Sequence, residues 1–243
     1  MRRAPLVAIL AAVAALTAPA AAQAVNVYAA TSLTSVFPAL DKAPKYSFGG
    51  SNTLQLQIQR GAPADVFASA SPTEAQQLFH QGLCARPVTF AINRLVLLIP
   101  NANPGHVTSV YSLRSGGRRL SIGTAGVPIG AYTRALLKRL RLSSILSSNT
   151  VSQQTNVGQV AAQVALGSAD AGFVYYTDGL AVKDRTKMIG LPKWAQPPVR
   201  YQVCAVRRAG ADTSGARAFI TKVTGKAGRG ALRAYGFGLP PRA

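Results

Sequence analysis

The chain has 243 residues, 48% of them hydrophobic, enough to build one large or two medium cores and too many for a disordered protein. Lys and Arg number 27 against 7 Asp and Glu, a net charge of +20 that attracts anions of every size. The basic residues are scattered pairs such as Arg118-Arg119 and Arg207-Arg208. The densest run, Lys138 to Arg141, has no interleaved aromatic residues, which argues against a single-strand nucleic-acid surface and for a solvated face.

Residues 1–24 read as a signal peptide: Arg2 and Arg3 start it, LVAILAAVAAL is its apolar run, and Ala20 to Ala24 supplies small residues for cleavage. Without those two arginines the net charge is +18. No cysteine lies near the cleavage site and no later run reaches a membrane-spanning length, so an exported, periplasmic protein without a lipid anchor is expected.

NVYAA from Asn26 is a strand that passes through Thr31 and Ser32 into a helix, in which Pro38 fits only if the helix is short or begins late. Tyr46 to Phe48 is extended, Gly49 and Gly50 permit a tight turn, and Ser51 with Asn52 are expected to cap a helix carrying Leu54 and Ile58. Gly61 stops that helix, and Asp65 to Ala70 is a third strand. A glycine and hydroxyl turn feeding a helix start is a ready anion site, because free N–H groups and the helix dipole point the same way. Taken alone, the local pattern favours an ordinary strand-to-helix turn.

Ser71-Pro72 with Glu74 opens a helix to about Gln81, and Arg94 to Pro100 is a strongly apolar strand. Leu120 to Gly123 is a strand that hands over through TAGVPIG to the helix AYTRALLKRLRL. Thr155 and Asn156 cap VGQVAAQVAL, which stops at Gly167, and Ala171 to Tyr176 is a strand too apolar to be exposed on either face. Tyr201 to Val206 is another strand, followed by helices from about Thr213 to Val223 and through GRGALRAYGF. The alternation indicates an α/β fold with helices covering the sheets. Two cysteines in an exported chain suggest one disulfide, Cys84 to Cys204, though the sequence does not measure their separation; they are too few for a cysteine-based metal site.

NVYAATSLT, SFGGSNTLQLQIQRGAPADVFASA, VPIGAY, TNV, GFVYYTDG and RAYGF together resemble the molybdate-binding proteins of ABC transporters, in order and in approximate spacing, over essentially the whole mature chain. The resemblance implies a two-lobed periplasmic-binding-protein fold of type II, with mixed sheets and a ligand cleft between the lobes. Lobe one would comprise residues 25–93 with 201–243, and lobe two residues 94–200. It implies oxyanion ligands at Ser32, Ser51, Ile129, Val157 and Tyr175. The two serines would donate hydroxyl and backbone N–H, Ile129 and Val157 backbone N–H alone, and Tyr175 its phenol. Ile129 replaces a frequent alanine, and the close spacing of Ser32 and Ser51 shortens the first helix around Pro38.

The implied function is capture of molybdate, and also tungstate, by a monomer that delivers it to an ABC permease, with no cofactor, no bare metal ion, no specific nucleic acid and no enzymatic activity. A site of donors without an acceptor leaves the O–H of a protonated anion unpaired, a cost of about 1–3 kcal/mol that favours fully deprotonated dianions. Sulfate passes that filter too. Asp65 and Asp178, the acids near the motifs, read as helix or turn caps rather than ligands. An exported serine hydrolase using His80 or His106 lacks a G-x-S-x-G elbow, and a basic adhesion protein would bind with steep salt dependence and ignore molybdate.

Overall fold

The protein is described by a computed structural model covering residues 24–241; the expected signal peptide falls almost wholly outside the described residues. The strands in chain order are β1 (Asn26–Ala30), β2 (Lys45–Gly49), β3 (Val66–Ser69), β4 (Val88–Asn93) and β5 (Leu95–Pro100). They continue with β6 (Arg119–Gly123), β7 (Thr150–Gln154), β8 (Ala171–Tyr175), β9 (Thr186–Gly190) and β10 (Val199–Ala205). The helices are α1 (Val36–Leu40), α2 (Ser51–Gln59), α3 (Pro72–His80), α4 (Pro128–Arg139) and α5 (Ile145–Ser148). After them come α6 (Val157–Ala165), α7 (Tyr176–Ala181), α8 (Thr213–Thr224) and α9 (Lys226–Ala234).

The strands form two mixed sheets, ordered β2-β1-β3-β10-β4 and β7-β6-β8-β5-β9, one in each lobe. In the first, β1 pairs in parallel with β2 and β3, and the late strand β10 returns antiparallel between β3 and β4. In the second, every residue of β5 and β8 is buried, as expected of strands covered on both faces. Phe37, Phe90, Phe219 and Tyr201 pack the first lobe; Leu97, Phe173, Leu136 and Val160 pack the second.

The chain passes from the first sheet to the second between β4 and β5 and returns between β9 and β10. Gln196 ties the crossings together: its Oε1 accepts from the Leu95 N–H at 2.9 Å and its Nε2 donates to the Leu95 carbonyl at 2.8 Å. A side-chain amide thus mimics a strand neighbour where the chain passes between the two sheets.

Three strands have no counterpart in the sequence reading, β4, β7 and β9, and all three are sheet edges. Edge strands carry mixed, half-exposed side chains, so period and hydrophobicity mark them weakly. Pro38 is the third residue of α1, where its missing N–H would have no intrahelical acceptor anyway. The first helix therefore begins late. The strand read as Ala171 to Tyr176 ends one residue earlier, because Tyr176 opens α7. Cys84 and Cys204 form the disulfide, with Cα atoms 6.0 Å apart, inside a small cluster of Leu54, Phe67 and Leu78.

Candidate functional site

Five strand-to-helix handovers point at one place. Ser32 is the second residue of a 3-10 turn after β1, and Ser51 is the first residue of α2. Ile129 follows Pro128 at the start of α4, Val157 opens α6, and Tyr175 directly precedes α7. The first N–H groups of a helix have no carbonyl ahead of them, so the starts after β1, β2, β6 and β7 offer donors and the positive end of a helix dipole, whereas the first N–H of α7 is spent on the Arg94 carbonyl at 2.9 Å and Tyr175 brings its phenol instead.

All five residues line a single small pocket of about 10 Å³, together with Ala30, Gly50 and Ala70; no lysine or arginine is among its lining residues. Its side-chain polarity comes from Ser32, Ser51 and Tyr175 alone. The phenol oxygen of Tyr175 is fully buried and has no hydrogen-bond partner among the described residues. Burial, reinforced by the neighbouring Tyr201, Tyr132, Asp178 and Glu74, holds that phenol well above its ordinary pKa, so it keeps its proton to donate. An orphaned buried donor of this kind is expensive unless a ligand accepts from it.

Ser51 does not cap α2; the N-cap is Gly50, and no side-chain cap bond forms. The Ser51 hydroxyl oxygen instead accepts from the Ala70 N–H at 3.0 Å, which leaves its hydrogen free for the cavity. Behind it, buried Glu74 accepts from Ser69 at 3.0 Å and from Ser71, bracing the corner that presents Ala70. The expected cap at Asn156 is present, its side chain accepting from the Gln159 N–H at 3.0 Å. The larger side chain of Ile129 finds room over Gly123, where a Cβ would meet its Cγ2 at 2.7 Å.

Gly50 has an ordinary backbone conformation, φ −64° and ψ 134°, so the turn itself does not demand glycine. A Cβ there would lie 2.3 Å from the Thr155 carbonyl oxygen of the opposite lobe. Close approach of the second lobe therefore explains this glycine.

Of the two acids expected to cap helices or turns, Asp178 meets the amides at a helix start and Asp65 does not. Asp65 caps no helix: it accepts from the Asn26 and Asp212 N–H groups and pairs with Arg208 at 2.6 Å, pinning strand and loop ends within lobe one. Asp178 sits in the first turn of α7, with Oδ2 buried and unpartnered. Burial pushes its carboxyl up to about 8, partly offset by the backbone amides of Asp178 and Tyr175.

Two residues near the cavity went unnoticed in the sequence. Tyr201, fully buried, places its hydroxyl 2.8 Å from that of Ser32 and its ring edge-on to Tyr175, centroids 5.8 Å apart. Asn93 reaches the Tyr201 hydroxyl at 3.4 Å and the Thr177 hydroxyl of lobe two at 3.0 Å. Strand position predicts burial for Tyr201, but nothing in its local sequence points to Ser32, which lies 169 residues away. His80 and His106 are exposed and line no part of the cavity. Among the described residues no group of three His, Cys, Asp or Glu could hold a metal ion, and no helix is long and apolar enough to cross a membrane.

Two sheets joined by two chain crossings, with a pocket of helix starts between them, define a solute-binding architecture. The chain belongs to the bacterial extracellular solute-binding protein family, which it matches over residues 9–238, and is accordingly a binding protein rather than an enzyme. It is 32% identical over 229 residues to the molybdate-binding protein ModA of Mycobacterium tuberculosis strain H37Rv, covering 90% of this chain and 86% of that one. The solved periplasmic molybdate-binding protein of Azotobacter vinelandii superposes with a TM-score of 0.78 at 27% identity, over 89% of this chain and 100% of that one. The sulfate-binding protein SubI of Mycobacterium tuberculosis shares the fold, with a TM-score of 0.74 at 13% identity, over 88% of this chain and 86% of that one.

Proposed function

We propose that this chain captures molybdate, and tungstate with it, through Ser32, Ser51, Ile129, Val157 and Tyr175, and delivers the anion to an ABC permease outside the cytoplasm. The observation that carries the reading is the convergence of four helix starts and one orphaned phenol on a pocket with no cation among its lining residues. Neutral donors replace the hydration of a buried dianion while leaving no salt bridge to break on release. The absence of a carboxylate among the cavity-lining residues leaves nothing to accept the O–H of a protonated anion, which disfavours hydrogen phosphate. Similarity to proteins named for molybdate binding supports the choice among the dianions.

The lobe division proposed for this function is residues 25–93 with 201–243 against residues 94–200. The two sheets support it, with β10 opening two residues ahead of that boundary at Val199. Export by a cleaved N-terminal segment, without a lipid anchor, and action as a monomer complete the reading.

The test is a thermal shift of the purified mature chain with molybdate, tungstate, sulfate, phosphate and perchlorate at matched ionic strength. Molybdate and tungstate at about a thousand times their Kd should add roughly 4 kcal/mol of stability. A response to sulfate alone moves the assignment to sulfate. Midpoints that no dianion shifts beyond the effect of sodium chloride end the oxyanion reading.

A further inference from the structure

The hydroxyl of Ser32 has two uses for its one hydrogen: it can donate into the cavity or backward to Tyr201. The surrounding bonds choose between them. The Arg94 N–H donates to Asn93 Oδ1 at 2.9 Å, which fixes the side-chain amide with Nδ2 facing Thr177 and Tyr201. Nδ2 is a donor only, so the Tyr201 oxygen is the acceptor in their 3.4 Å contact. Tyr201 is completely buried, and its hydroxyl bonds only Asn93 and Ser32 among the described residues. Its own hydrogen therefore goes to the Ser32 oxygen across 2.8 Å, and the Ser32 hydrogen is left for the cavity.

We propose that Tyr201 and Asn93 are positioning residues for the anion site: their directed hydrogen-bond chain orders the Ser32 hydroxyl so that it donates to the bound anion. This rests on the oxyanion reading of the cavity. A hydroxyl that donates backward would face the anion with lone pairs. The chain also places the hinge crossing at Asn93 one residue removed from a ligand-facing group, and its Thr177 branch reaches the opposite lobe.

The experiment is a double-mutant cycle on molybdate affinity, read by calorimetry, with Tyr201→Phe made in the unsubstituted chain and in Ser32→Ala. Phenylalanine keeps the ring and its packing against Tyr175 and removes only the hydroxyl. In the unsubstituted chain Tyr201→Phe should raise Kd about tenfold. In the Ser32→Ala background it should change Kd less than about twofold, because no hydroxyl remains to be ordered. Asn93→Leu should show the same dependence on Ser32 with a smaller loss, and it carries the test if Tyr201→Phe does not fold. An equal loss in both backgrounds, or affinity within about twofold of the unsubstituted chain for both variants, overturns the proposal. Failure of the unsubstituted chain to bind any dianion is a different result: it removes the oxyanion reading itself, and this proposal with it.

Discussion

Tyr175 and Tyr176 are adjacent and chemically identical, yet only the first faces the cavity. Tyr175 ends β8 with its hydroxyl buried and unpartnered, while Tyr176 opens α7 and carries the Arg94 guanidinium 3.6 Å above its ring. Tyr175→Phe removes a donor to a charged ligand and should weaken molybdate binding about ten- to hundredfold by calorimetry; Tyr176→Phe should stay within about twofold. The reverse result would move the site. Asp178 is a second residue-scale case. Its carboxyl, raised from 3.8 to about 8 by burial, holds a proton in the folded chain that the unfolded chain has already lost above about pH 4. Stability contributed by that proton is complete below pH 4 and is lost as pH rises toward 8. Asp178→Asn removes the dependence, so urea unfolding should find the variant level with its parent near pH 4 and ahead by on the order of 2–4 kcal/mol at pH 8.

The repeated element is a strand that passes directly into a helix start, and its usefulness depends on what lies across from it. The turn at Gly50 shows this. Glycine is needed there because Thr155 of the other lobe comes within 2.3 Å of where a Cβ would stand. Gly50→Ala should therefore leave the anion-free chain folded, with a melting midpoint near its parent's, while lowering molybdate affinity at least about tenfold by preventing close apposition. An unchanged affinity would mean that the lobes need not approach so nearly. The short α1 follows the same logic of local constraint: Pro38 is harmless in a first turn and would break a longer helix begun at Ser32.

At the scale of the molecule, the chain must hold together a lobe assembled from its two ends. Cys84 and Cys204 span 120 residues and link the end of the α3 region to β10, the strand that returns from lobe two. Closing so long a loop should contribute about 4–5 kcal/mol, so the Cys84→Ala, Cys204→Ala double variant should lose that much stability in urea. Saturating molybdate should still bind the folded fraction, since neither cysteine lines the cavity.

The buried strands β1, β5 and β8, the capped helix α6 and the glycine stops were legible in the sequence because burial and capping leave periodic, local signals. The turns before α2, α4 and α6 were legible as helix starts for the same reason, since an N-terminus is a property of consecutive residues, whereas α7 left no such signal and Tyr175 entered the ligand set through the family resemblance. Only tertiary structure decided which neighbours spend those donors. It made Ser51 an acceptor from Ala70 rather than a cap, drew Tyr201 to Ser32, paired the edge strands β4, β7 and β9, and gave Gly50 its purpose. The physical reason is range: a helix dipole and a cap arise within one turn of chain, whereas a hydrogen bond between hydroxyls 169 residues apart exists only after one sheet has placed β1 and β10 on either side of β3.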